Sequence, residues 1–194
     1  MDSGFRSEDF ERITMKVETL DLLQKLQKKF GIKGTPAGPF GKIVQKLLAV
    51  SFHETGFTDI VERGVQGVDI DVTWKSNEKF AIEVKTTGKL SIDVSSDNLH
   101  ALRDRTKEGY LPIIAVLRLS PLENWMFAKI PLEEIPTGSV LIEKLRTYRL
   151  RDMENRVSPW FDSVVRELFN EIMRKGEQYL IEKLKHIGII TNDY

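Results

Sequence analysis

Apolar residues fall three and four apart at Phe10, Ile13, Val17, Leu20, Leu23 and Leu26, which predicts a helix over residues 7–30 opened by Ser7 and Asp9. Gly31, Gly34 and the run Thr35-Pro36-Ala37-Gly38-Pro39 predict its end and a loop. A second helix is expected from Phe40 to about Glu54, with Ile43, Val44, Leu47 and Leu48 inward and Gly56 as its stop. The period then changes from helical to alternating. Residues 57–62 predict a short strand and residues 64–67 a turn. In 68–74, Val68, Ile70 and Val72 share one side, with Asp69, Asp71 and Thr73 on the other.

The polar stretch 75–78 predicts a hairpin connection into a strand over 80–86. There Phe80, Ile82 and Val84 alternate with Ala81, Glu83, Lys85 and Thr87. A helix is expected over 95–109, with Leu99 and Leu102 inward and Arg103, Arg105 and Lys107 outward. The unbroken apolar run 112–117 predicts a central strand buried on both faces, followed by a strand over 125–130. Residues 131–151 give no clear pattern. Ser158-Pro159 predicts the start of a long helix reaching about residue 185 and interrupted at Gly176. The expected architecture is α/β, a mixed, mostly antiparallel five-stranded sheet flanked by helices, with extra helices at both ends. The expected division is an N-terminal helical extension (1–35), an α/β core (36–135) and a C-terminal helical extension packed on it (136–194).

Composition narrows the chemistry. The chain has 194 residues and no cysteine, which removes disulfides, thiolate zinc sites and iron–sulfur clusters. Its three histidines, His53, His100 and His186, are scattered, so a metal would sit among oxygen ligands and be of the Mg²⁺, Mn²⁺ or Ca²⁺ kind. No apolar run is long enough to span a membrane. The polar N-terminus lacks the apolar stretch of a signal peptide, so a cytoplasmic location is the expectation. With 29 basic and 29 acidic residues, bulk charge neither supports nor excludes a nucleic-acid partner.

The candidate chemistry lies between residues 67 and 87. Asp69 interrupts an apolar strand, and Glu83-Val84-Lys85 follows in the next, with Glu83 and Lys85 on one face. If the two strands pair, Asp69 comes within reach of both. Two carboxylates a few ångströms apart raise each other's pKa unless a cation lies between them. A divalent metal is the natural partner; it can bind a phosphodiester oxygen and activate water. A neighbouring ammonium stabilises the pentavalent transition state. Thr86 and Thr87 are candidates to bond nearby phosphates. An acid-x-Lys triplet arises by chance about two or three times in a chain this long at average residue usage. Here it occurs once, inside this strand.

Gly67-Val68-Asp69 followed by Ala81-Ile82-Glu83-Val84-Lys85-Thr86-Thr87 resembles the PD-(D/E)xK nuclease superfamily, which includes restriction endonucleases, archaeal Holliday-junction resolvases and Mrr-like enzymes. The similarity covers roughly residues 40–130. The resemblance implies a restriction-endonuclease-like core, Asp69 and Glu83 as ligands of Mg²⁺ or Mn²⁺, Lys85 as the catalytic lysine, and hydrolysis of DNA, with a catalytically inactive nucleic-acid-binding or assembly module as the alternative.

Two positions depart from the pattern. Val68 stands where the family usually has proline. Gln45 stands where many members carry a glutamate on the first core helix; it remains a candidate to hold a metal-bound water, with Glu54 or Asp71 as other sources of a carboxylate. Lys42 and Lys89 extend a basic rim. The set Arg103, Arg105 and Lys107 reads equally as a solvated face or a DNA-backbone contact. Cutting both strands of a duplex asks for two sites, so a homodimer through the terminal helices is expected.

Overall fold

The computed structural model of the chain describes residues 7–31, 38–63, 67–75, 77–120 and 123–192. The first helix, α1 (Ser7–Phe30), is followed by α2 (Pro39–Thr55), which takes Pro39 at its first turn, where a missing N–H costs nothing. Gly56 ends α2 at φ 95°, a left-handed conformation that favours glycine. Residues 32–37, most of the expected loop, lie outside the described residues, as do 64–66 of the expected turn.

Strands β1 (Thr58–Arg63), β2 (Ile70–Thr73) and β3 (Lys79–Thr87) form an antiparallel meander, with Ile70 opposite Ile82. A short strand β4 (Ser91–Val94) precedes helix α3 (Ser96–Lys107). Strand β5 (Leu111–Arg118) then pairs with β3 in parallel, and β6 (Met126–Lys129) returns antiparallel to β5. Beyond them lie β7 (Gly138–Leu141), α4 (Ile142–Leu145), a single 3₁₀ turn, α5 (Arg151–Lys175), α6 (Glu177–His186) and β8 (Ile190–Asn192). Gly176 separates the last two helices, as its place in the sequence suggests.

The fold is α/β with a mixed sheet between helices, the expected class. Among the described residues the sheet has six strands, not five, in the order β6-β5-β3-β2-β1-β8. The sixth comes from the chain's far end, where Ile190–Asn192 lies parallel to Val61–Arg63. Three residues are too few to show an alternating pattern, so β8 was invisible in the sequence. Strands β4 and β7 form a separate antiparallel ribbon.

Two apolar cores lie on the sheet's two faces. Phe80 and Ile82 of β3, and Ile113, Ala115 and Leu117 of β5, pack on one side against α2, α5 and α6. Ala81, Ile114 and Val116 pack on the other, against α3, the ribbon and α4. Helix α2 is buried continuously from Ile43 to Phe52 and so lies at the centre of the first core.

The expected helix start at Ser158-Pro159 is corrected: α5 begins at Arg151 and carries Pro159 in its interior. Proline removes a bond to the carbonyl four residues back, that of Asn155. Both Asn155 and Pro159 are exposed, so water can take that carbonyl. The earlier turns are held instead by Met153 and Val157 in the core and by Glu154. That buried carboxylate accepts from Arg149 Nε at 2.9 Å and from Phe127 N at 3.2 Å.

Candidate functional site

The site gathers where α2, the β1–β2 connection, β3 and the start of α3 meet. Asp69 lies one residue ahead of β2 rather than inside it, opposite the position that follows the Ile70–Ile82 pair. Its backbone carbonyl accepts from Arg63 N at 2.9 Å, and its carboxylate accepts from Val84 N at 2.7 Å. Strand alternation brings Glu83 and Lys85 to one face: Lys85 Nζ lies 2.8 Å from Glu83 Oε1. The structure thus places the three sequence-derived residues together.

Their electrostatics are those of a site short of positive charge. Burial and the neighbouring Glu83 carboxylate push the Asp69 carboxyl up to about 8, against the opposing pull of the Val84 N–H and Lys85; Glu62 pushes it further in the same direction. Glu83 is also raised, by burial first, while Lys85 and the Asn98 side chain favour its charged form. Glu83 Oε2 is buried and has no hydrogen-bond partner. Buried polar atoms are normally paired, so this carboxylate oxygen could accept a cation or a further donor.

These groups line a cleft of about 710 Å³ walled by Lys42 and Gln45 of α2, Thr86 and Lys89 beside β3, and Ser91–Val94 of the ribbon. Among the described residues no aromatic side chain contributes to that lining. Gln45 is buried in the wall. Its Nε2 donates to Glu62 Oε1 and Arg63 O, each at 2.7 Å, and reaches Asp69 O at 3.2 Å. The glutamine therefore braces the backbone that presents Asp69. Thr86 and Thr87 both line the cleft, and Thr87 Oγ1 also accepts from Lys89 N and donates to Ser91 O, tying the turn into β4.

Other sequence candidates lie elsewhere. Asp71, the other candidate carboxylate, is buried, and Arg105 grips both its oxygens, Nη2 at 2.6 Å and Nε at 3.3 Å, with Arg63 on Oδ2. Arg105 also stacks on Tyr110 at 3.9 Å. The outward basic face of α3 is thus partly structural: Arg105 closes a buried pair and Arg103 donates to Leu132 O. Glu54 and His53 face each other on the surface, and His100 pairs with Asp104.

Sequence reading missed three contributors. Glu62, fully buried on β1, accepts from Lys46 Nζ at 2.9 and 3.0 Å, and Lys46 also lies 3.3 Å from Glu177 at the start of α6. The available signal was a lysine among the apolar positions Ile43, Leu47 and Val50 of α2 and a glutamate within a short strand. Asn98 binds Lys85, with Nζ donating to Oδ1 at 2.9 Å. Its signal was the Ser95-x-x-Asn98 spacing of a helix start.

An all-oxygen donor set with one orphaned atom fits a hard divalent cation. Among the described residues no group of three or more His, Asp or Glu side chains converges in a metal-holding arrangement. A cation here would rest on Asp69 and Glu83 with water and substrate oxygens completing its shell, the sparse protein coordination usual for Mg²⁺.

Among the described residues no helix is long and apolar enough to cross a membrane. No protein-family profile and no curated protein matches the chain. Among solved structures, the chain is similar to Hjc, a Holliday junction resolvase from the archaeal hyperthermophile Archaeoglobus fulgidus, at 20% sequence identity and a TM-score of 0.47, over 59% of this chain and 99% of that one.

Proposed function

We propose that this chain is a divalent-metal-dependent nuclease that hydrolyses DNA phosphodiester bonds, with Asp69 and Glu83 as metal ligands and Lys85 as the catalytic lysine. One observation carries the reading. Two carboxylates pushed towards protonation, one with an orphaned oxygen, face a cleft beside an ammonium. When bound, Mg²⁺ or Mn²⁺ supplies positive charge to a phosphodiester oxygen and makes water a better nucleophile. Lys85, held between Glu83 and Asn98, lines the cleft and would stabilise the negative charge that develops as the phosphorus becomes pentavalent. Gln45 holds the Asp69 backbone in place. Lys42 and Lys89 at the rim attract and orient the backbone of the nucleic acid. A homodimer acting in the cytoplasm, with paired sites for the two strands of a duplex, belongs to the same reading.

The test is cleavage of labelled duplex, junction and single-stranded DNA with Mg²⁺, with Mn²⁺ and with chelator, beside Glu83→Ala and Lys85→Ala. Both variants are expected to lose cleavage by about a hundredfold or more while still binding DNA. Cleavage that survives both changes overturns the assigned site.

A second reading has its own support. Gln45 stands where a glutamate would add a third carboxylate, and Lys85 already satisfies one oxygen of Glu83. On that reading the cleft binds nucleic acid without cutting it. Affinity indifferent to Mg²⁺, with no products, distinguishes it.

A further inference from the structure

Among the described residues the lysine of this site has two acceptors, one on its own strand and one on α3. Lys85 Nζ lies 2.8 Å from Glu83 Oε1 and donates to Asn98 Oδ1 at 2.9 Å. Asn98 is the third residue of α3. Its Oδ1 also accepts from Ser95 N at 3.0 Å, and its own N–H donates to Ser95 Oγ at 3.1 Å. One amide oxygen thus joins the start of a helix to the ammonium of a strand that packs beneath it.

We propose that Asn98 is the positioning residue for Lys85: its side-chain oxygen, fixed by the α3 cap, holds the ammonium at the mouth of the cleft and keeps it from collapsing onto Glu83 alone. What Lys85 then does rests on the nuclease reading; that Asn98 holds it does not. A lysine side chain has four rotatable bonds and no preferred fork, so a single acceptor leaves its ammonium free to swing. Two acceptors on different elements fix it. The amide suits this place on chemical grounds. Two donors occupy Oδ1, which turns the amide NH₂ away from them, and the Asn98 side chain favours the charged form of Glu83. A carboxylate here would keep the acceptor and set a second negative charge near Glu83. Alanine keeps neither.

The helix cap and the lysine contact can be separated. Ser95→Ala removes the bond from Asn98 N to Ser95 Oγ but leaves Ser95 N and the Lys85 contact intact. Asn98→Ala removes Oδ1 and with it the bonds from Ser95 N and from Lys85, while the backbone N–H at 98 still donates to Ser95 Oγ. Asn98→Asp keeps an oxygen for Lys85 and for Ser95 N. The experiment is limited reductive methylation of the full chain without metal or DNA, reading the modification rate at Lys85 by mass spectrometry. It is followed by kcat and KM on labelled DNA with Mg²⁺.

Asn98→Ala is expected to speed modification of Lys85 several-fold and to lower kcat on the order of ten- to a hundredfold with KM within about twofold. Asn98→Asp is expected to protect Lys85 as the parent does. Ser95→Ala is expected to lower the melting temperature yet leave Lys85 modification and kcat near the parent values. The proposal is overturned if Asn98→Ala leaves the modification rate unchanged, or if Ser95→Ala reproduces the whole effect. A parent protein that cuts nothing but shows the labelling difference would sink the nuclease reading and leave the hold of Asn98 on Lys85 standing.

Discussion

Between the ordinary aspartate value and about 8, the folded protein keeps a proton on Asp69 that the unfolded chain has lost. The folded state therefore binds more protons across that window, and stability falls as pH rises through it. Without divalent metal, melting temperature is expected to drop between about pH 5 and about pH 8. Asp69→Asn, which keeps an oxygen for Val84 N and removes the charge, should flatten that slope. It should raise the melting point at pH 8 by about 3 °C, the shift of roughly one kilocalorie in a chain this long. Thermal unfolding at the two pH values checks this; parallel curves for parent and variant would refute it. Glu83 and Lys85 could be placed on one face from sequence because alternation along a strand is local and needs no tertiary information; Asp69, expected inside its strand, lies one residue ahead of β2. Asn98 and Glu62 could not be placed in this way. The Ser95-x-x-Asn98 spacing marks a helix start and Glu62 interrupts a strand, but both reach the site only because α3 and β1 pack beside β3 and β2.

At the scale of elements, the long strands and the helices with clear apolar stripes could be read, and the short or tertiary-anchored ones could not. Strand β4 and strand β7 have four residues each and find their stability in one another. Helix α5 begins seven residues before the apparent Ser158-Pro159 start because Glu154 is drawn inward by Arg149 and by the β6 backbone. That contact makes a prediction. Glu154→Ala leaves Phe127 N without its acceptor and a half-buried guanidinium without its partner, and should destabilise the protein by about 2 kcal/mol. Pro159→Ala, on the exposed side of the helix, should not destabilise it. Chemical denaturation of the two variants tests the pair; equal loss in both would mean the proline, not the glutamate, sets where the helix holds.

For the whole molecule, zero formal charge does not say where charges meet, and the candidate cleft carries acids (Asp69, Glu83 and Asp93) as well as lysines. Lys42, Lys85 and Lys89 line one cleft. Charge counted over the chain could not show this, because the three residues come from α2, β3 and the turn after it. If the cleft grips a sugar-phosphate backbone, replacing both Lys42 and Lys89 by alanine should weaken DNA binding about equally across sequences. It should also reduce the salt dependence of the affinity by about two in log–log slope. Binding isotherms at several salt concentrations give that slope; an unchanged slope would move the contact elsewhere.

The sheet's outer border has a consequence of its own. Strand β1 would offer the next chain an open row of amide and carbonyl groups, were it not covered by β8, three residues long and joined to it across more than a hundred intervening positions. A strand so short is a poor template for further pairing, and Ile190 is exposed at its start. The same brevity makes it the easiest strand to lift away. Were it to fray, the molecule would expose the longer edge behind it, an edge covered only once distant parts of the chain have met.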